Sequence, residues 1–292
     1  MKPAPFDYVA PGSLEEVLAT LATYGYDAKL LAGGQSLIPM MNFRLAQPSV
    51  LVDLNEVTEL NWVRRRNGGV SLGAMVRQRQ LERDPVVAEV APLVHDTMPY
   101  VAHPQIRNRG TLGGSLAHAD PAAELPVVMV ALEAQLRLRR AQGERWVAAE
   151  AFFEGLFTTV LAPDEMVVEV VVPVLPPRTG YGFLEVARRH GDFAQAGVTA
   201  VLTLDENDVC RKARIVYLNL GEVPMIARKA ADLLVGEKVT DSLIAEVADV
   251  GAREEIEPTG DIHATADYKR HLAGVLTRRV LKLALAKATS SQ

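Results

Sequence analysis

The sequence predicts an α+β chain in two parts, and three observations lead there. A helix signal, a short apolar strand and a glycine pair follow one another at the start. A strand-rich stretch, "PDEMVVEVVVPVLPP", runs out in Pro173, Pro176 and Pro177 with Gly180 just beyond, which marks a boundary. Two further strand candidates and two helices then close the chain. The division falls at 1–177 and 178–292, with the first part splitting again near residue 56.

Taken in order, Ser13 and Glu16 form a capping box ahead of Leu14, Val17, Leu18 and Leu21, which keep helical spacing, and Gly25 lies where a C-terminal cap belongs. "AKLLA" reads as a buried strand running into Gly33-Gly34, and Val50 to Asp53 as a second strand. "LNWVRRRNGGVSLGAMV" reads as a hairpin turning at Asn67-Gly68, with the arginines on a solvated edge. Arg77, Arg79 and Arg83 read as solvated in the same way. Residues 85–101 are helical and apolar. "HPQIRNRGTLGGSLAHADPAAELP" reads as a long polar loop, a type that often carries function. A helical run follows from Val127, and a strand pair flanks Gln142-Gly143. Beyond the boundary, strands are expected at 198–204 and 213–220 and helices at 241–254 and 267–288, ahead of a frayed "KATSSQ" tail.

Composition narrows the function. A net charge of −5 argues against nucleic-acid binding, which calls for a basic face. A single cysteine, Cys210, excludes a disulfide framework and a cysteine-ligated iron–sulfur cluster within this chain, and it suits a reducing cytoplasm. No targeting segment and no apolar run long enough for a membrane helix is expected.

Chemistry concentrates in two glycine segments, "AGGQSL" (Ala32, Gly33, Gly34, Gln35, Ser36, Leu37) and "TLGGSL" (Thr111, Gly113, Gly114, Ser115). Neither fits G-x-G-x-x-G or a P-loop. Each offers backbone N–H groups free of Cβ obstruction, with a hydroxyl at the edge, and successive N–H groups of this kind can form an anion nest. Two such nests facing one another would suit a diphosphate. The plainer reading, that each glycine pair permits a tight turn, stays open on spacing alone.

"AGGQSLIPMMNFRL" together with "PQIRNRGTLGGSLAHADPAAELP" closely resembles the FAD-binding medium subunit of molybdenum hydroxylases, the group of carbon monoxide dehydrogenase and xanthine dehydrogenase. The likeness continues through "FFEGLFTTVLAPDEMVVEVVVP" and "FLEVARRHGDFAQAGVTAVL" to "YKRHLAGVLTRRVLKLAL". The resemblance implies a two-part FAD-binding domain of the vanillyl-alcohol-oxidase/PCMH type and a C-terminal domain of CO dehydrogenase flavoprotein type. It implies that Ala32 to Leu37 and Thr111 to Ser115 wrap the FAD diphosphate, with Lys29 adding distant positive charge. Glu124 stands where the family commonly has Asp against the flavin nucleotide. His118 reads as an ordinary loop hydrogen-bonder beside the cofactor; the resemblance puts Leu161 near an apolar contact and Phe193 at the isoalloxazine, with an ordinary core Phe as its alternative. At 185 this chain has Glu where some relatives have Lys, so the cation that would favour a reduced anionic flavin is missing there, and Arg188 or Arg189 would have to compensate, against their plainer reading as a solvated face. A metal held by His118, Asp120 and Glu124 is the weaker reading.

The resemblance also implies an electron-transfer subunit with no acid–base catalyst of its own. A small [2Fe–2S] subunit and a large molybdopterin subunit would be its partners, as a dimer of heterotrimers in the cytoplasm. Electrons would pass from the clusters to FAD and on to a terminal acceptor. The rivals are a self-contained flavin oxidase, for which the 115 residues after Pro177 look too few, and a flavin-free scaffold.

Overall fold

The computed structural model describes residues 1–290. β1 (Asp7–Val9), α1 (Leu14–Tyr24), β2 (Ala28–Leu31), α2 (Leu37–Asn42) and β3 (Val50–Asp53) build a parallel sheet of order β1-β3-β2. α1 starts where Ser13 accepts the Glu16 N–H at 3.3 Å, while the Glu16 carboxylate takes the Gly12 N–H at 2.8 Å. It stops at Gly25, whose φ of 50° an L side chain resists. Leu14, Val17, Leu18 and Leu21 pack against β2 and β3 in a small core of their own.

β4 (Val63–Arg66) and β5 (Gly69–Gly73) form the expected hairpin. Its arginines do more than solvate an edge: Arg66 reaches the buried Glu169 at 2.9 Å. α3 (Gln78–Leu81) follows. The helix expected over 85–101 is broken into α4 (Pro85–Val90) and α5 (Pro92–Thr97), because Pro92 brings no N–H and Ala91 leaves helical geometry at φ −129°. The polar segment expected to be a loop is largely helical: α6 (Pro104–Arg107), α7 (Leu112–His118) and α8 (Glu124–Ala131) occupy it. β6 (Gln135–Arg140), β7 (Gly143–Ala148), the small pair β8 (Phe153–Gly155) and β9 (Thr158–Thr159), and β10 (Met166–Pro173) complete the first part. Its antiparallel sheet has the order β4-β5-β10-β6-β7.

β11 (Thr179–Val186), β12 (Ala196–Leu204), β13 (Cys210–Leu218) and β14 (Met225–Ile226) form a second antiparallel sheet, followed by α9 (Arg228–Asp232), α10 (Asp241–Glu254) and α11 (Ala266–Ser290). The sequence reading missed β1 and β11. Gly180 is part of β11 rather than of the boundary: a Cβ there would lie 2.8 Å from the Ala284 carbonyl carbon, so the glycine lets α11 lie on the sheet. The expected frayed tail is helical through Ser290, and its last two residues, 291 and 292, lie outside the described residues.

One face of this sheet packs on α10 and α11. The other contributes Phe183, Val201, Val216 and Leu218 to the main core of the first part. The seam between the parts therefore has an apolar centre.

Candidate cofactor site

The fold brings the two glycine segments into contact. A Cβ on Gly33 would stand 2.8 Å from the Gly110 Cα, and one on Gly114 would stand 3.5 Å from the Ala32 Cβ. Two polar residues brace this contact. The Asn55 amide donates to the Ala32 carbonyl at 3.2 Å, and the Arg77 guanidinium donates to the Arg109 carbonyl and, at 2.6 Å, to Asn55 Oδ1. Arg77 is accordingly half-buried, which corrects its reading as a solvated residue. Burial, and then the neighbouring Arg109 charge, act against its own charge.

The segments differ in what they present. Gly34 has a φ of 72°, and the Gln35 side chain donates to the Gly33 carbonyl at 2.9 Å. Among the described residues, none of the five consecutive N–H groups from Gly33 to Leu37 reaches a protein acceptor. The second segment is not a nest. Thr111 caps α7, its hydroxyl accepting the Gly114 N–H at 3.1 Å, while the N–H groups of Leu112, Gly113 and Ser115 go to the carbonyls of Val76, Ala74 and Thr111. Gly113 is bare because α7 presses on Ala74, whose Cβ would be 2.7 Å from its own. The second segment thus offers hydroxyls and a bare surface, and the first offers the N–H groups.

His118 ends α7, with its ring 5.1 Å from that of Phe157, a residue that sequence reasoning did not single out. Burial, with Lys29 nearby, pushes its pKa down against the pull of Asp120, which favours the neutral ring. Leu161 packs on the main core. Phe193 is 73% exposed on the connection between β11 and β12 and belongs to none of the three cores, so it is not an ordinary core Phe. Asn219, at φ 56°, ties this connection to the segment before α8: its amide donates to the Ala194 carbonyl at 2.6 Å and its N–H to the Pro121 carbonyl at 3.0 Å. Arg188 and Arg189 are exposed.

Glu124 opens α8 and is only 8% exposed. Burial pushes its carboxyl up to about 7, with Asp120 adding to the rise and Arg107 opposing it. Across the seam, burial and then the Glu124 charge push Glu185 up to about 8. Arg107 is spoken for by Glu82, at 2.9 and 3.1 Å, and by the Val101 and Ala102 carbonyls.

A row of five unpaired N–H groups against a bare second segment can hold an anion with dipoles. This donor set fits a dinucleotide flavin. Sequence signals for Arg77, Asn55 and Asn219 were absent, because each acts on a segment distant in the chain.

Comparison with known proteins points to the same cofactor. Residues 4–175 match the family described as FAD binding domain in molybdopterin dehydrogenase, and residues 181–284 match the CO dehydrogenase flavoprotein C-terminal domain. The chain is 41% identical to the 6-hydroxypseudooxynicotine dehydrogenase complex subunit alpha of Paenarthrobacter nicotinovorans, over 99% of this chain and 97% of that one. Among solved structures, a chain of carbon monoxide dehydrogenase from Hydrogenophaga pseudoflava superposes with a TM-score of 0.95 at 38% identity, covering 98% of this chain and 99% of that one. A chain of quinoline 2-oxidoreductase from Pseudomonas putida 86 gives 0.93 at 41%, covering 99% of both.

Proposed function

The chain belongs to the family of FAD-binding medium subunits of molybdenum hydroxylases, and from that premise we propose that it carries electrons within a three-subunit complex. In this reading a small partner subunit holds [2Fe–2S] clusters and a large one holds the molybdopterin cofactor, where substrate is oxidised. Electrons reach the FAD of this chain from the clusters and leave to a terminal acceptor. The assembly is a dimer of heterotrimers in the cytoplasm. Among the described residues no helix is long and apolar enough to cross a membrane.

The observation that carries the reading is the run of free N–H groups at Gly33–Leu37 braced against Gly110 and Gly114. When bound, FAD supplies the electron-transfer chemistry, accepting and releasing electrons at its ring. The chain's own residues bind and orient it. Ala32 to Leu37 take the diphosphate on backbone dipoles, with the Thr111 and Ser115 hydroxyls and the Gly113–Gly114 surface opposite. Glu124 stands at the nucleotide end of the seam. His118 stays neutral beside it, so it can donate from one ring nitrogen and accept at the other. Leu161 lines an apolar wall, and Phe193 is free to cover the ring face. We place FAD binding mainly in residues 1–177, with 178–292 closing the ring side.

The relatives named above belong to complexes whose names point to different substrates, yet this subunit keeps its fold almost end to end. That favours a substrate site on another chain. The test is to purify a tagged chain from its host and identify what comes with it. An iron–sulfur subunit and a molybdopterin subunit are expected, and reducing their clusters should bleach the flavin absorbance. A chain that purifies alone with FAD and oxidises a small substrate would instead be a self-contained oxidase.

A further inference from the structure

Phe157 occupies the left-handed region, at φ 53°, on the tip of the β8–β9 hairpin. A bulky side chain resists that conformation, whereas glycine adopts it readily. The tip nonetheless carries an aromatic ring, and it holds that ring 50% exposed, with Leu156 exposed beside it. Core packing does not call for this, since Phe157 belongs to none of the three cores. The hairpin is anchored at its base instead, where Phe152 and Phe153 meet edge-on at 5.1 Å and are buried in the main core. Its turn is tied by the Thr158 hydroxyl, which donates to the Leu156 carbonyl at 3.0 Å, and by the Val160 N–H, which returns to the Phe152 carbonyl at 3.0 Å. A strained residue that presents a ring on a firmly tied hairpin points to a function outside the core.

What the ring meets is α7. Its centroid lies 5.1 Å from that of His118, with the two planes 34° apart. α7 buries Leu112, Gly113 and Leu116 and leaves Gly114, Ser115 and His118 partly open. Residues three and four apart on a helix are neighbours, so Ser115 and Gly114 lie next to His118. Gly114 in turn faces the first glycine segment, where its Cβ would stand 3.5 Å from that of Ala32. His118, with Phe157 against it, therefore sits about one helical turn along α7 from that contact, roughly 6 Å at about 1.5 Å per residue. Two heterocycles hang from a FAD diphosphate at different reaches: adenine through a single ribose ring, the isoalloxazine through the longer, open ribityl chain. A platform one turn away matches the nearer of the two. Its chemistry matches as well, since Phe157 offers a flat apolar face and the neutral His118 ring both donates and accepts, as the edge of adenine does.

We propose that Phe157 is the adenine platform of this chain: its ring stacks on the adenine of FAD, and His118 holds the platform in place from α7. This rests on the FAD reading above and deepens it, by giving the adenine half of the cofactor a binding residue of its own. The glycine segments grip the diphosphate and are indifferent to what hangs from it. Phe157 is then what makes the site select a flavin dinucleotide over a flavin mononucleotide.

The experiment titrates the flavin-free full chain with FAD and with FMN, which has the same ring and ribityl chain but no adenosine. Wild type should bind FAD more tightly than FMN. Phe157→Gly should weaken FAD binding about tenfold or more, the effect of taking one aromatic partner from a stacked base, and should leave FMN binding unchanged. Because glycine accepts a φ of 53°, the variant's melting temperature without flavin should stay within about 2 °C of wild type. Phe157→Tyr keeps the ring face and should keep the preference for FAD. Unchanged FAD affinity in Phe157→Gly, an equal loss for FAD and FMN, or loss of the preference in Phe157→Tyr would each overturn the platform. So would a Phe157→Gly chain that melts well below wild type, since the ring would then serve the fold. Wild type that binds neither flavin would remove the FAD reading and this inference together, whereas wild type that binds FAD and FMN equally would remove the inference alone.

Discussion

Gly33 lies so close to Gly110 that a Cβ on the first would stand 2.8 Å from the Cα of the second. Two segments nearly eighty residues apart are thereby locked together at their backbones, and the free N–H groups of the first are held in place by the second. The contact explains the bare sequence better than cofactor approach alone does, since the first thing a side chain at 33 would strike is protein.

Gly33→Val should therefore destabilise the chain by a few kcal/mol as well as abolish FAD retention. Gly114→Ala should be milder. Its methyl would crowd the Thr111 hydroxyl at 2.7 Å and cost about 1 kcal/mol through the lost cap. Denaturant melts and flavin absorbance on the two variants check this ordering, and a Gly33→Val protein with full FAD would contradict the placement.

Arg77→Leu should weaken FAD binding without touching FAD. It removes the guanidinium that joins Asn55 to the Arg109 carbonyl, at about 0.5–1.5 kcal/mol for each of these part-exposed hydrogen bonds. Arg77→Lys should rescue only in part, because an ammonium cannot fork to both. The readout is FAD dissociation constant beside melting temperature; normal FAD affinity in Arg77→Leu would show that the brace is irrelevant to the site.

Stability should fall as pH rises through neutral. Unfolded, Glu124 and Glu185 titrate near the ordinary value of 4.5, and folded they titrate near about 7 and about 8. Between those limits the folded state binds more protons than the unfolded one, so raising the pH favours unfolding. The contribution is complete below the ordinary value and is lost as the pH passes through the folded values. In flavin-free protein, Glu185→Gln should flatten the fall in melting temperature between about pH 6 and about pH 8.5, by on the order of 3 °C for each kcal/mol involved. Parallel curves for the two proteins would contradict the burial of these carboxyls.

Phe193→Ala should leave stability within about 0.5 kcal/mol, as befits an exposed residue away from the cores. It should shift the flavin absorption spectrum while FAD content stays near wild type. A spectrum identical to wild type would place the ring elsewhere.

Much of the scaffold could be read locally. β3 and α10 match their expected bounds because each is an unbroken pattern bounded by its own signals: an apolar run ending in Asp53, and a helix capped by Thr240, whose hydroxyl accepts the Leu243 N–H. β11 could not be read, because Gly180 and Gly182 weaken its strand signal, and both are there to admit α11, a hundred residues away. α7 hid inside a polar stretch because its glycines serve packing on Ala74 and contact with the first segment. In the site, the glycine pairs could be singled out from their own neighbourhood, and Glu124 only through the family resemblance. Arg77 could not, since its partners Asn55 and Arg109 are set by the fold, and an arginine in a polar run looks solvated until that fold is known.

The central claim is that the segments at Gly33–Leu37 and Thr111–Ser115 together hold FAD, and the most direct measurement is FAD stoichiometry in the purified chain. The account predicts one FAD per chain, present on purification or restored by adding FAD, and lost in Gly33→Val. A folded wild-type chain that shows no flavin absorbance and takes up no FAD on reconstitution would contradict it.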